Sequence, residues 1–157
     1  MNATRILSAA ALGLTLLGAA ARADDVSAAD VQYYADFADA AKRIGNQLDK
    51  LGELLGKAAP GKDYSSNCED RAKDLADAYH FLEERVPPGD SVTAHKDLMS
   101  SADTGALAAI ELAAYFDAEF RHKDRLNRAL ELYDQAVTKY AGALEEMPLT
   151  APEKETK

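Results

Sequence analysis

The sequence contains one cysteine, Cys68, and no tryptophan among its 157 residues. A single cysteine excludes an intramolecular disulfide, so side-chain packing has to stabilise the fold. The sequence has no CxxCH segment for covalent haem attachment and no glycine-rich loop for phosphate. It also has no basic stripe, and its net charge of −9 argues against binding to nucleic acid or to anionic lipid.

Long apolar runs are scarce as well. The run Ile6–Leu17 has about 12 residues, whereas a membrane-spanning helix needs roughly 20. Arg5 precedes this run and Ala21-Arg22-Ala23 follows it, which is the pattern of a cleaved signal peptide. We predict that residues 1–23 are removed and that the mature chain begins at Asp24, in the periplasm or outside the cell. The leader carries two basic and no acidic residues, so its removal takes the net charge from −9 to −11.

Apolar residues recur at alternating spacings of three and four through the rest of the chain, which is typical of helices packed in a bundle. The four stripes run from Tyr34 to Ala58, from Cys68 to Val86, from Val92 to Phe120 and from Leu126 to Met147. No segment of useful length alternates with period two, so we expect no sheet. The predicted fold is all-α, an antiparallel up-down four-helix bundle over residues 24–147, followed by a flexible tail at 148–157.

Capping residues and helix breakers mark the ends of the first three helices. Serine and aspartate accept the unpaired N–H groups at a helix start, and proline or glycine follows a helix end. The predicted marks are a Ser27–Asp30 capping box, a stop at Ala59-Pro60-Gly61, a Ser66–Glu69 capping box, a stop at Pro87-Pro88-Gly89 and an N-cap at Asp90 or Ser91.

The boundary between the third and fourth helices has no glycine or proline. A turn near residues 121–124 is favoured, because Arg121-His122-Lys123 suits a helix C-terminus and Asp124 suits an N-cap. The alternative is one continuous helix from about Thr104 to Met147. Residues 103–105 are a further candidate for a kink or split in the third helix.

Three glycines, Gly45, Gly52 and Gly56, lie inside the first predicted helix, where each costs about 1 kcal/mol relative to alanine. They share a stripe beside the apolar seam, and a small-residue stripe lets another helix approach closely. The third helix offers small residues in return, at Ala102, Ala106, Ala109 and Ala113. We predict a close crossing between these two helices, with three tolerated glycines as the alternative.

Residues 106–116 of the third helix are apolar nearly all round, with Glu111 as the only charge. One interpretation is a central, mostly buried helix. The other is a surface that meets a partner, with Leu107 and Tyr115 on one outward stripe with Glu111 and with Ile110 beside them. We predict an interaction surface at these four residues, either for a second copy or for another protein.

His80, His95 and His122 are the weak candidates for metal ligands. Asp77 and His80 have the acid-x-x-His spacing of ferritin-like di-iron bundles, but their phase places both side chains toward water. His95 lies on an apolar seam and is interpreted as a hydrogen-bonded core histidine. We therefore predict no metal and no cofactor.

Cys68 occupies a seam position, which predicts a buried, unreactive thiol. Its place near a helix start, where the thiolate pKa falls, leaves a redox role as the alternative. The cysteine, the histidines and the scattered serines form no recognisable nucleophile arrangement. The prediction is that the protein is not an enzyme.

The segment Val86-Pro87-Pro88-Gly89-Asp90, followed by His95, Leu98, an Ala/Leu-rich helix and an acid-led last helix, resembles secreted bacterial helical domains of uncharacterised function. The resemblance covers about residues 80–145. It implies an exported helical domain, with His95 packing at the start of the third helix, and it carries no activity.

The sequence as a whole predicts an exported, non-catalytic helical protein that binds a protein partner or itself through its third helix. It predicts no nucleic-acid partner and no membrane anchor. A periplasmic metal- or haem-binding bundle is the alternative.

Overall fold

The structure is a computed structural model that describes residues 27–59, 62–117 and 122–147. These residues form four α-helices and no strand. The helices are α1 (Ala28–Gly56), α2 (Ser65–Glu83), α3 (Val92–Asp117) and α4 (Lys123–Glu146), and a 3-10 turn (Gly89–Ser91) leads into α3. The all-α fold class is confirmed. The predicted leader and tail lie outside the described residues.

The start of α1 is capped as the sequence predicts. The backbone N–H of Asp30 donates to Ser27 Oγ at 3.1 Å, and the Ser27 backbone N–H donates to Asp30 Oδ2 at 3.2 Å. This capping box satisfies two N–H groups that a helix start leaves unpaired. The helix ends at Gly56, before the predicted stop, of which residues 60 and 61 lie outside the described ranges.

The predicted Ser66–Glu69 capping box of α2 is wrong. The N-cap position is Tyr64, two residues before the predicted cap, so the helix begins at Ser65, and Asp63 stabilises its start. Asp63 Oδ1 accepts the Ser65 backbone N–H at 2.9 Å and the Ser65 hydroxyl at 2.8 Å. Because Asp63 already accepts hydrogen bonds from Ser65, the helix starts before Ser66. Ser66 therefore lies within the helix and cannot serve as its N-cap.

The start of α3 also differs from its prediction, because neither Asp90 nor Ser91 acts as an isolated N-cap. Both belong to the 3-10 turn that runs directly into Val92. The Ser91 hydroxyl donates to Asp90 Oδ1 at 3.2 Å and lies 3.5 Å from Tyr34 Oη. The helix then continues unbroken through residues 103–105, so the predicted split there is wrong.

The third and fourth helices are separate, as predicted, and the continuous-helix alternative is wrong. Residue 121 of the predicted turn lies outside the described residues. The third helix ends at Asp117 and the fourth begins at Lys123, with His122 in the N-cap position. Asp124 is not the N-cap. It lies in the first turn of α4, where its negative charge interacts favourably with the positive end of the helix dipole.

The helices run up, down, up and down. Between neighbouring helices, residues early in one helix contact residues at or near the end of the next, and residues late in one contact residues early in the next, which is the pattern of antiparallel packing. These contacts include Asp36–Arg85 and Gln47–Arg71 between α1 and α2, and Asp97–Lys139 and Glu111–Arg125 between α3 and α4. Tyr33 and His95, near the starts of α1 and α3, hydrogen-bond to each other, so these two helices are parallel.

The third helix is the central one, and seven of its residues from 106 to 116 are buried, which confirms the interpretation of that segment as mostly buried. Thirteen of its residues are buried, and it approaches α2 and α4 more closely than α1 does. The close approach to α4 relies on small residues. Ser101 Oγ donates to the backbone carbonyl of Ala136 at 2.8 Å, a bond that requires the two backbones to lie side by side.

The predicted stripe of α4 is rotated from the observed buried face. The fourth apolar stripe, from Leu126 to Met147, passes through Leu130 and Val137 and so predicts both in the core, but both are exposed. The buried face is centred on Ala129, Ala136 and Ala143 instead. Alanines permit the close contact with α3, and the larger side chains therefore lie at the edge of that contact.

The α1 glycines do not meet the α3 alanines, so the predicted crossing is wrong. Gly45 and Gly52 face tyrosines of α4. A Cβ built at Gly45 would lie 2.6 Å from Tyr140 Oη, and one at Gly52 would lie 2.5 Å from Tyr133 Oη. A Cβ at Gly56 would meet nothing within 4 Å. Two of the three glycines thus make room for bulky rings on a neighbouring helix.

Candidate interaction surface

Two large apolar side chains lie exposed on α3, one turn apart. Leu107 is 46% exposed and Ile110 is 52% exposed. Residues three apart on a helix are surface neighbours, so the two side chains form one apolar patch. Leu107 faces outward as predicted, and Ile110 does so as well. The role of both residues in binding stays a prediction.

The other two residues of the predicted surface are not on this patch. Tyr115 is only 5% exposed, and its ring lies 5.4 Å from that of Phe116, so the outward assignment of Tyr115 is wrong. Steps of four residues rotate about 40° around a helix, so the stripe 107, 111, 115 turns toward α4. Glu111, the middle residue of this stripe, is half-buried, and its Oε2 accepts a hydrogen bond from Arg125 Nη1 at 2.6 Å.

Steps that alternate four and three residues remain on one face. We define the outer stripe of α3 as Asp103, Leu107, Ile110, Ala114 and Asp117. Four of these residues are exposed and Ala114 is half-buried. The outer stripe has apolar side chains in its middle and a carboxylate at each end.

A groove between α2 and α3 runs beside the outer stripe. It has a volume of about 510 Å³. The described residues that line it are Glu69 and Ala72 of α2 and Ile110, Ala113, Ala114 and Asp117 of α3. The small alanine side chains leave the space, and the two carboxylates give the groove a negative charge. No basic residue is among these described lining residues.

The groove-facing side of α2 carries one carboxylate, Glu69, and Lys73 follows it one turn along the helix. Asp70, Asp74 and Asp77 are exposed on the side of α2 turned away from the groove. A cationic partner is therefore attracted at the groove itself by Glu69 and Asp117.

The basic residues on the α4 side of α3 are engaged with acids. Lys139 Nζ lies 2.8 Å from Asp97 Oδ1, and Arg125 Nη1 lies 2.6 Å from Glu111 Oε2. These hydrogen bonds raise the pKa of both basic groups. The side of the outer stripe that faces α4 therefore carries paired charges, whereas the groove on the side that faces α2 is lined by the carboxylates of Glu69 and Asp117.

A second groove lies between α3 and α4, with a volume of about 310 Å³. Its described lining is entirely polar: Ser100, Thr104, Asp134, Gln135, Thr138 and Lys139. It is the smaller of the two grooves and none of these lining residues is aliphatic or aromatic, whereas Ile110 lines the α2–α3 groove, which is therefore the better interaction candidate.

His95 is a core histidine, as interpreted from the sequence. It is buried, its Nδ1 lies 3.0 Å from Tyr33 Oη, and the two ring centroids are 5.8 Å apart. Burial lowers the pKa of His95 and, together with the neighbouring Tyr34 and Asp90, raises the pKa of Tyr33. A neutral imidazole thus ties the start of α3 to α1.

The three histidines considered as metal ligands do not share a site. His80 is exposed near the end of α2, with Nδ1 3.2 Å from Glu83 Oε2. His95 is bound to Tyr33, and His122 is exposed before α4, at the opposite end of the bundle. Within the described ranges, no three histidine, cysteine or acidic side chains come together as a metal-ion site.

Cys68 is fully buried at the start of α2. Burial, aided by Glu69, raises the pKa of its thiol to about 12. The expectation that the helix start would lower this pKa is wrong, because desolvation of the thiolate outweighs the helix dipole. The thiol is protonated and enclosed, which suits a packing role.

Comparison with protein families, with curated proteins and with solved structures finds no match for this chain. Within the described residues, no helix has the length and apolar character needed to cross a membrane. The function must therefore be argued from the geometry of the chain itself.

Proposed function

We propose that this chain is an exported, non-catalytic helical protein that binds a protein partner, or a second copy of itself, through the outer stripe of α3. The signal-peptide pattern of residues 1–23 supports export. The buried, protonated Cys68 and the neutral His95 support a structural rather than a catalytic use of these two groups.

The observation that carries the binding proposal is the adjacency of Leu107, Ile110 and the α2–α3 groove. Among the described residues, the other exposed large apolar residues are Val31 in the first turn of α1, Val86 in a loop, and Leu130 and Val137, seven residues apart on α4. None of these four has another exposed large apolar side chain within one turn along the described chain, and single exposed side chains are common on protein surfaces. Two large apolar side chains beside an alanine-lined groove are typical of a surface that receives a partner helix.

Site-specific photocross-linking in cells that produce the protein tests this proposal. A photoreactive residue replaces Ile110 in one variant and Val31 in a matched control, since both side chains are aliphatic, helical and more than half exposed. We expect a discrete cross-linked species from position 110 that is lost when Leu107→Ser is added, and none from position 31. The mass of that species separates a second copy from another protein. Equal cross-linking at both positions, or none at position 110, would contradict the proposal.

A further inference from the structure

The charges at the ends of the outer stripe indicate what kind of partner fits it. Asp103 and Asp117 are exposed and fourteen residues apart, with Leu107 and Ile110 between them. At 1.5 Å per residue, the two carboxylates are separated by about 21 Å along the helix axis. Glu69 adds a third carboxylate at the groove.

Self-pairing through this stripe brings like charges together in either orientation. If two copies of α3 pair antiparallel about Ile110, Asp103 of each copy lies opposite Asp117 of the other. If they pair parallel, each aspartate lies opposite its own counterpart. Like charges placed opposite each other suppress association. The charge pattern therefore disfavours a second copy as the occupant of this face.

We propose that the occupant is a cationic amphipathic helix of another polypeptide, whose apolar side chains fill the alanine-lined groove and whose basic residues meet the two ends of the outer stripe. This inference rests on the proposed function and specifies the chemistry of the partner. Ala72, Ala113 and Ala114 leave room for large apolar side chains, and the carboxylates of Glu69 and Asp117 at the groove and of Asp103 at the other end of the outer stripe supply the charge complementarity. The basic residues of such a helix are spaced about two heptads apart.

Binding of two designed peptides to the full mature chain tests this inference. Both are 18-residue amphipathic helices with the same leucine face. One carries lysines at two positions fourteen residues apart and at its other polar positions, and the second carries glutamates in their place. We expect the lysine peptide to bind, with an affinity that weakens as salt rises, and the glutamate peptide to bind at least about tenfold more weakly.

Two variants locate the binding. Asp103→Asn/Asp117→Asn removes both end charges, and Glu145→Gln/Glu146→Gln removes two exposed charges at the end of α4 as a control with the same change in net charge. We expect the first variant to weaken binding of the lysine peptide about fivefold and the control to weaken it less than twofold. A third variant, Ala114→Leu, fills the groove and should weaken binding without a change in net charge.

Four outcomes would overturn the inference: equal binding of the two peptides, binding of neither peptide, equal effects of the two charge variants, or a cross-linked species at position 110 with twice the mass of the chain. A cross-link from position 110 to another polypeptide, together with failure of the lysine peptide, would overturn the inference and leave the proposed function standing. Loss of both the cross-link and peptide binding would overturn both.

Discussion

Replacing Gly45 with alanine tests whether the glycines of α1 exist to admit the tyrosines of α4. The new Cβ would lie 2.6 Å from Tyr140 Oη and 3.0 Å from Tyr140 Cζ. The hydroxyl oxygen would have to withdraw by roughly 0.5–1 Å to reach ordinary contact distance. Tyr140 is buried, so its ring cannot turn into solvent to relieve the contact.

Two opposing terms set the size of the effect. Alanine favours the helix over glycine by about 1 kcal/mol, and overpacking of a filled interior costs about 1–3 kcal/mol. We therefore expect Gly45→Ala to lower the free energy of unfolding by up to about 2 kcal/mol. Gly56→Ala is the matched control, because its Cβ would meet nothing within 4 Å, and it should raise the free energy of unfolding by up to about 1 kcal/mol.

Urea unfolding followed by circular dichroism measures both changes, provided the slope against urea stays constant. Adding Tyr140→Phe removes the atom closest to the new Cβ and leaves Cζ at 3.0 Å. The Gly45→Ala penalty should then fall, which gives a favourable coupling of about 1 kcal/mol in the double-mutant cycle. If Gly45→Ala is as stabilising as Gly56→Ala and the coupling is zero, the glycine does not serve to admit the tyrosine.

Three further predictions concern His95, Cys68 and the leader. Burial lowers the pKa of His95, so as the pH falls the unfolded chain binds a proton at this residue before the folded chain does. The free energy of unfolding should therefore decrease by up to about 1 kcal/mol between pH 7.5 and 5.5. This decrease should be smaller in His95→Gln. A pH-independent stability in this window would contradict the assignment. Cys68, with its pKa raised to about 12, should react with a thiol reagent at pH 8 at least about 100-fold more slowly in the native state than in urea, and rapid native labelling would show an accessible thiol. N-terminal sequencing of the chain recovered from the periplasm should begin at Asp24, and an intact leader would refute the export prediction.

The sequence predicts helix ends best where a side chain caps the backbone locally. The Ser27–Asp30 capping box forms as predicted because its partners lie within one turn of each other. The start of α2 was mispredicted because two acceptors compete for it, and Asp63 satisfies Ser65 before Ser66 can act as a cap. Spacing alone does not rank two nearby acceptors.

Helix phase is harder to predict where alanine is abundant. A stripe drawn through the largest apolar residues of α4 placed Leu130 and Val137 in the core. The structure buries Ala129 and Ala136 instead, since the Ser101–Ala136 bond requires α3 and α4 to lie close together. Alanine suits both the surface and a tight helix interface, so its role depends on which neighbour approaches, and that depends on the whole bundle.

The same reasoning explains which part of the candidate site could be predicted. Leu107 and Ile110 were found because large apolar residues outside a seam stand out in the sequence. Tyr115 was misplaced because i, i+4 spacing follows a line that rotates around the helix, whereas the α2–α3 groove follows the 4, 3, 4, 3 spacing of the outer stripe. That spacing joins Asp103 to Asp117 across the apolar patch. A negative charge at both ends of an apolar helix face is poorly matched to its own copy and well matched to a cationic helix, so the charges rather than the apolar residues determine which partner can bind.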